Sequence, residues 1–539
     1  MAGHGARHTM KTYPMSAADA SWFHNDGPAN LAVIMGVTLT RKPLDFERVR
    51  QVYSERLVTF ERFRQRVVET GFPLPTPHWQ DMPDFDINQH LHHIALPAPH
   101  TQAALMELVN DIASAPLDHS LPLWQTWVVD DVEGGSALIM RCHHCIADGT
   151  AMMILLQRLY DPAPGAPPLQ GPKARGKSIA HAEKGLLAPA FNAVAGAARD
   201  AVALVGGAGM LVGELLRKDD PPSPLKGKFA PAKRVAWSVP FPIADIKAIG
   251  LRHDAKVNDV LVAAMTGALR TYLKGRGVDV DHTTLRAMVP VDLRPPERMG
   301  QLGNEFGLVL LDLAVTKARA DHRIALTKAR MDALKHSPEP LATRALLDLM
   351  GRMPKALEDF SNNLFGRKAS LVMTNVTGPR EELYLAGVPI ERMLAWAPHP
   401  GKELGMAVSI FSYKGLAGLT VIGDAHLVPD PELITDAFNS EFRKMLKSTV
   451  KPAGPKARPA ARKAPAKTMA RTPAKAKAPV RQPAATKSPA RKAAAPKAPV
   501  VKAAATKAPA PKAGVRPSRK PAAKPAPARK AGTATKTRA

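Results

Sequence analysis

The sequence predicts a mixed α/β fold in two halves, followed by a segment that builds no core. Three observations carry that expectation. Over the first 450 residues, short apolar runs of strand length alternate with stretches of helical spacing. A Pro/Gly-rich connection between residues 161 and 235 divides them in two. From Lys451 to Ala539 the composition turns to Lys, Arg, Ala and Pro without one aromatic residue. The alternation lacks the strict β-α-β rhythm of a doubly wound sheet, so an α+β arrangement of mixed sheets is expected.

In the first half (residues 1–165), Phe46, Val49, Tyr53 and Leu57 recur at helical spacing, as do Leu105, Leu108, Val109 and Ile112. Ser136 to Met140 reads as a strand, and Thr150 to Tyr160 as the helix after it. The Pro/Gly-rich composition starts with DPAPGAPPLQGPKARGK from Asp161, at the end of the first half, and the linker proper, residues 166–235, ends with DDPPSPLKGK from Asp219 and the residues after it. Between these lies an apolar segment, Gly185 to Leu216, whose best uncharged stretch, Ala201 to Gly213, is too short to span a bilayer. It reads either as helices laid on the core or as an interfacial segment that touches lipid. In the second half (236–450), Val257 to Leu273 reads as a helix, and Ser370–Met373, Met406–Phe411 and Leu419–Ile422 read as strands. Leu433, Ile434, Phe438, Phe442 and Leu446 share one face of a closing helix.

The net charge of +28 is concentrated at one end. Residues 451–539 carry 25 Lys and Arg and no acidic residue, whereas the preceding 450 carry 50 basic against 47 acidic residues. The body is therefore near neutral and a polycation is attached to it. Sixteen prolines interrupt the Lys/Ala runs of that tail, so it is expected to be disordered when free. Only Cys142 and Cys145 occur, which gives no disulfide framework and fits a reducing compartment. Met1 to Trp22 lacks the apolar core of a signal peptide, and no run of about 20 apolar residues predicts a transmembrane helix.

The richest chemistry lies in His143-His144-Cys145-Ile146-Ala147-Asp148-Gly149, an HHxxxDG pattern between the predicted strand and helix. A strand end hands its imidazoles to the lip of a cleft, where a group that titrates near neutrality can move a proton. The bland alternative is a satisfied polar strand end followed by a common Asp-Gly turn. Cys142-His-His-Cys145 also places four ligand-type residues in a row, but neighbours on a strand point to opposite faces and no second cluster completes a metal site. A thioredoxin-like CxxC would need a different context.

Other segments accompany the histidines in order. MSAADASWF runs from Met15 to Phe23, FDINQHL from Phe85 to Leu91, and Pro122-Leu123-Trp124 stands some twenty residues before the histidines. Val257-Asn258-Asp259-Val260 and Asn375-Val-Thr-Gly378-Pro379 follow. With this ordered set, residues 12 to 448 resemble the bacterial wax ester synthase/acyl-CoA:diacylglycerol acyltransferase family. That family lies in the superfamily of CoA-dependent acyltransferases that includes chloramphenicol acetyltransferase and peptide-synthetase condensation domains.

The resemblance implies two chloramphenicol-acetyltransferase-like halves with the active-site tunnel between them. It implies transfer of a long-chain acyl group from acyl-CoA, a substrate and not a cofactor, to diacylglycerol or a fatty alcohol. No metal or other cofactor is expected. His144 would be the proton acceptor, His143 a supporting residue, Asp148 a loop brace held by a charge pair, and Gly149 a residue permitting tight turn geometry. Pro122, Leu123 and Trp124 would pack the core or shape the acyl channel. Asn258 is either a helix N-cap or, with Asp259, a support of the site, and Asn375, Gly378 and Pro379 would form a turn near the tunnel. The oxyanion donor has no signature in the sequence.

The tail adds an expectation about location. Its charges suit anionic membrane or lipid-droplet headgroups, at roughly 1 kcal/mol per basic residue near the surface, or nonspecific DNA phosphates; a merely solubilising extension is the third reading. A cytoplasmic protein peripherally held at the inner membrane or at lipid inclusions is expected. Two further functions stay open from sequence. One is a noncatalytic droplet or nucleic-acid organiser; the other is an acyltransferase with a polyketide or amine acceptor.

Overall fold

The computed structural model describes residues 11–71, 76–166, 218–295, 301–335, 339–350, 366–399 and 403–450, all within the unit Met1–Lys456. The apolar segment Gly185 to Leu216 and the tail after residue 450 lie outside the described residues.

Two large mixed sheets carry the architecture. In the first, the strand order is Tyr384–Leu385, Val388–Trp396, Val33–Thr40, Gly135–His143, Trp124–Val132, Leu91–Ala95. Its pairs are antiparallel except the last. In the second, the order is Phe306–Asp312, Arg286–Asp292, Leu371–Thr377, Met406–Tyr413, Leu416–Asp424, Lys233–Trp237. Parallel pairing holds its middle strands. A small third sheet joins Thr12–Pro14, Thr76–Asp81 and Gln65–Thr70.

Strand Gly135–His143 is buried along its whole length, which explains why it reads as a continuous apolar run without alternation. Leu138, Met140 and Cys142 face a cluster shared with helix Gly149–Leu159, while Ala137 and Ile139 face the other way. There they join Met35, Val37, Leu394 and Trp396 of the same sheet against Met288, Leu310, Val372, Ala407 and Ile422 of the second. The two sheets thus share a core. Behind the second sheet, helices Val257–Gly275 and Pro431–Val450 bury Val260, Met265, Leu269, Ile434, Phe438 and Phe442 in a separate cluster.

The predicted elements appear with modest changes of extent. Phe46–Val52 is α-helical and continues as a π-turn over Tyr53–Leu57, which keeps Tyr53 and Leu57 in the core. The predicted strands lengthen to Leu371–Thr377, Met406–Tyr413 and Leu416–Asp424.

The boundary read at residue 236 does not divide the structure. Strand Lys233–Trp237 already pairs with Leu416–Asp424, and Leu225 lies in the core of the second half. Conversely, Val388–Trp396 leaves the second half to pair with Val33–Thr40 at the edge of the first sheet. A composition shift marks where the chain is irregular and carries no information about which sheet a later strand joins.

Gly378 sits where the end of Leu371–Thr377 crosses its neighbour. A Cβ there would lie 2.1 Å from the Ser412 carbonyl oxygen and 2.7 Å from the Phe411 ring. Gly378→Ala is therefore expected to lower stability by about 1–3 kcal/mol through overpacking. The expected reading is a lower urea midpoint with an unchanged slope, and a wild-type midpoint would show that the strands do not meet so closely.

Candidate active site

His143 ends the central strand of the first sheet, and residues 144–148 turn into helix Gly149–Leu159. Asp148 caps that helix: its extended backbone frees the side chain to accept from the Ala151 N–H at 2.8 Å. The other carboxylate oxygen accepts from the Arg294 guanidinium at 2.6 Å and from the Glu305 N–H at 3.0 Å. Arg294 is bound in turn to the carbonyls of Gln301 and Gly303. Arg62 closes the turn from outside by donating to the carbonyls of Cys145 and Ile146 at 3.2 and 2.9 Å.

The His144 ring lies against Trp22, stacked at 3.8 Å between centroids, with Phe306 edge-on at 6.2 Å. Its backbone N–H donates to the Ala32 carbonyl at 2.7 Å, and its Nδ1 stands 2.9 Å from Asn304 Oδ1. Burial pushes this imidazole well below its ordinary range, against the opposing pull of Asp148, Asn304 and Asp19. Burial thus favours the uncharged imidazole. Asn304 follows Gly303, whose φ of +116° is open to glycine and strained for other residues.

His144 also lines a cavity of about 310 Å³ between the two sheets. Its walls are largely apolar, with Met35, Met140, Met152, Met153, Met288 and Met393 among them. Methionine is unbranched and adaptable, which suits a surface that receives a flexible hydrocarbon. Asp148, Gly149, Asp292 and Asn375 lie along the same wall, and both sheets contribute.

The other predicted residues fall around this centre. His143 turns away from the cavity, accepting from the Cys145 N–H through Nδ1 at 3.1 Å. Burial pushes its imidazole down to about 4, with Asp26 pulling the other way. Gly149 has no left-handed backbone, and a Cβ there would meet only the Val376 side chain, at 3.4 Å, so neither turn geometry nor close packing demands the glycine. Pro122, Leu123 and Trp124 do not line the cavity. Leu123 accepts from the His143 N–H, and Trp124 donates Nε1 to the Phe63 carbonyl and stacks on His90. They form the packing behind the histidine strand, where the Phe85–Leu91 segment meets them.

Asn258 is not the N-cap of its helix, which Lys256 occupies; the Asp259 carboxylate accepts from the Lys256 N–H at 2.8 Å. Asp259 thus serves the helix end and lies off the cavity. Asn258 accepts from Asn375 Nδ2 at 2.7 Å in an exposed contact, so the two asparagine motifs meet, and of the two only Asn375 lines the cavity. Gly378 and Pro379 stand behind that wall, where Pro379 accepts from the Lys414 N–H. Both cysteines are buried free thiols, and no group of three or more His, Cys, Asp or Glu among the described residues is placed to hold a metal ion.

Sequence reading missed Asp19, Trp22, Arg62, Arg294, Asn304 and Phe306. Asp19 and Trp22 lie inside the MSAADASWF segment, but nothing local tells that they fold against residues more than 120 positions away.

Asp148 and Arg294 have side-chain exposures of only 7% and 1%. Asp148→Ala, which strands the arginine, is expected to cost about 3–5 kcal/mol in equilibrium unfolding, and adding Arg294→Met should recover part of that loss. A single variant as stable as wild type would mean that the pair does not hold the turn.

Two family models match the chain. The wax ester synthase/diacylglycerol acyltransferase catalytic domain covers residues 15–261, and the C-terminal domain of that family covers 302–446. Among similar sequences, a probable diacyglycerol O-acyltransferase of Mycobacterium tuberculosis is 28% identical over 392 residues, 70% of this chain and 83% of that protein. Another from Mycobacterium bovis, named as a putative diacyglycerol O-acyltransferase, is 29% identical over 480 residues, 82% and 92% of the two chains. Among solved structures, the wax ester synthase/diacylglycerol acyltransferase from Marinobacter aquaeolei VT8 superposes with a TM-score of 0.59 at 21% identity, over 81% of this chain and 100% of that one. The first condensation domain of the calcium-dependent antibiotic synthetase gives 0.55 at 15% identity, over 82% and 97%. These structures share the fold of paired mixed sheets. With both family models matched in order over more than half of its length, the chain is an acyltransferase of the wax ester synthase/diacylglycerol acyltransferase family.

Proposed function

We propose that the protein transfers a long-chain acyl group from acyl-CoA to the hydroxyl of diacylglycerol, of a fatty alcohol, or of both, with His144 as general base. The observation that carries this reading is the His144 ring itself. One nitrogen is tied to Asn304, the ring lines an apolar cavity between the sheets, and no described residue hydrogen-bonds Nε2. The mycobacterial relatives named as diacyglycerol O-acyltransferases support the glycerolipid acceptor, and the Marinobacter enzyme's name supports the alcohol.

In this mechanism Nε2 takes the acceptor's hydroxyl proton as its oxygen attacks the thioester carbonyl carbon. A tetrahedral oxyanion forms, the C–S bond breaks, and the imidazolium returns the proton to the departing thiolate. The thioester is already activated, so no metal, cofactor or acyl-enzyme enters the scheme. General-base catalysis supplies about 10²–10⁴-fold, and holding two lipids and CoA in line supplies the rest. Asp148 and His143 act by holding the turn, and Asn375, bonded to Asn258, by shaping the wall.

With radiolabelled palmitoyl-CoA and diolein or hexadecanol, His144→Ala is expected to lower kcat at least about 10²-fold with a small change in KM. In the wild type the rate falls when the base is protonated. Because burial depresses that protonation, kcat/KM should hold level as pH falls through 6.5, where an ordinary histidine loses activity. Full activity in the variant removes His144 from the mechanism, and product with neither acceptor favours a different one.

No helix among the described residues is long and apolar enough to cross a membrane. We assign the basic tail, residues 451–539, to an anionic lipid surface, because the proposed acceptors reside there and 25 uncompensated cations suit its headgroups. Vesicles containing phosphatidylglycerol should sediment the full chain at low salt and release it at high salt, and removing 451–539 should abolish the effect. A salt-sensitive DNA mobility shift without vesicle binding would assign the tail to nucleic acid.

A further inference from the structure

Asn304 stands among three groups whose hydrogen-bonding capacity is fixed by their chemistry. Its Nδ2 lies 2.8 Å from the His144 carbonyl oxygen and 2.8 Å from Asp19 Oδ1. Its own backbone N–H donates to the same carboxylate oxygen at 3.1 Å. Asp19 is fully buried, and its second oxygen accepts from Arg62 Nη2 at 2.9 Å. A carbonyl and an ion-paired carboxylate only accept, so both hydrogens of the Asn304 amide are committed to them.

The orientation of that amide is therefore determined. Turning it over would set its oxygen against a carboxylate and a carbonyl in a buried site, which is repulsive twice and leaves the donors unused. The Asn304 oxygen must then face His144 Nδ1 at 2.9 Å. An amide oxygen also only accepts, so the hydrogen between them belongs to the imidazole.

We propose that Asn304, oriented by Asp19, is the positioning residue that fixes neutral His144 with its hydrogen on Nδ1 and its lone pair on Nε2. This rests on His144 being the base and adds how its reactive nitrogen is chosen. The opposite tautomer would place a hydrogen on Nε2 and leave nothing there to accept the substrate proton. When the ring does take that proton, the Asn304 oxygen faces the charge, and the Asp19 carboxylate behind the amide strengthens it. Asn304 passes on the influence of a carboxylate without offering a second site for the proton. Asp19 and Arg62 neutralise each other one step away, where neither competes for the substrate. The resulting order, Arg62–Asp19–Asn304–His144, joins four distant parts of the chain into one hydrogen-bonded line.

The test reads the tautomer directly. In full-length protein labelled with ¹⁵N at histidine, long-range ¹H–¹⁵N correlations distinguish a protonated from a bare ring nitrogen, and the His144 signals are identified by their loss in His144→Gln. Wild type is expected to show a bare Nε2 and a protonated Nδ1 at pH 7. Asn304→Ala should give a mixture of tautomers and a kcat lowered about 10²-fold, the scale of a general base, with KM little changed. The double variant His144→Ala/Asn304→Ala should be no slower than His144→Ala alone, because the asparagine acts through the histidine. A protonated Nε2 in wild type overturns the inference without any variant having to fold. So does an Asn304→Ala enzyme with full activity beside an inactive His144→Ala enzyme. Full activity in His144→Ala would instead overturn the base assignment itself, so the two failures are told apart.

Discussion

The buried pair between Asp148 and Arg294 is the interaction on which the rest of the site depends. Asp148 belongs to the first sheet's turn, whereas Arg294 follows a strand of the second sheet. One carboxylate thereby caps helix Gly149–Leu159, accepts from Glu305 and receives the guanidinium that holds the Gly303 carbonyl. Two charges so deeply buried are costly to desolvate, and the cost is offset by the three donors around Asp148 and by the two carbonyls that Arg294 holds beside the carboxylate, although Arg294 Nε has no partner among the described residues. The parallel bridge between Ala147 and Gly303 lies beside the pair, so the turn and the Gly303–Phe306 segment are joined by backbone as well as by charge. That junction adds to the Asp19 contacts that hold Asn304 and to the strand pairing of Phe306 with Asp292, and together they set both residues beside the His144 ring.

The cavity asks for opposite properties at one place. Acyl chains require an apolar wall, yet in the proposed mechanism the proton acceptor must be neutral and correctly turned within it. Burial provides the first requirement at no further expense, since desolvation disfavours the imidazolium. It does not orient the ring. Orientation falls to Trp22 on one face, Phe306 at the edge and Asn304 at Nδ1. The apolar part of the wall is rich in adaptable methionine, whereas His144 and Asp148 are held by buried hydrogen bonds. That division suits a site whose chemistry needs fixed geometry and whose substrates are flexible.

What could be read from the sequence follows from the range of the interactions. Strand Gly135–His143 and the helices at 102–114 and 257–275 were legible because apolar spacing is local. The crossing of Val388–Trp396 into the first sheet was not, since strand pairing is decided by tertiary contacts that no local period encodes. Gly378 stood in a motif, but only the structure shows that Ser412 and Phe411 impose it. Trp124 stood out as part of a motif and proves to be packing. Arg62 and Asn304 stood out for nothing, and Asp19 only as one letter of the MSAADASWF segment, because hydrogen-bonded partners that lie 285 and 160 residues apart leave no pattern in a window.

Asn304 reads two features of one residue. Its Nδ2 holds the carbonyl oxygen of His144, and its Oδ1 faces the ring of that same histidine. The path of the turn and the hydrogen on the imidazole are thereby coupled. A displacement of the turn that breaks the first contact leaves the amide held by Asp19 alone, with one hydrogen unpartnered, and loosens its hold on the ring. Under the proposed mechanism Asp148 and Arg294, which contact neither Nε2 nor the ring edge, would still bear on the chemistry, through the segment that presents Asn304. In this arrangement the distinction between a residue that holds the fold and one that prepares the reaction is one of distance along a hydrogen-bonded line, and Asn304 is where the two roles meet.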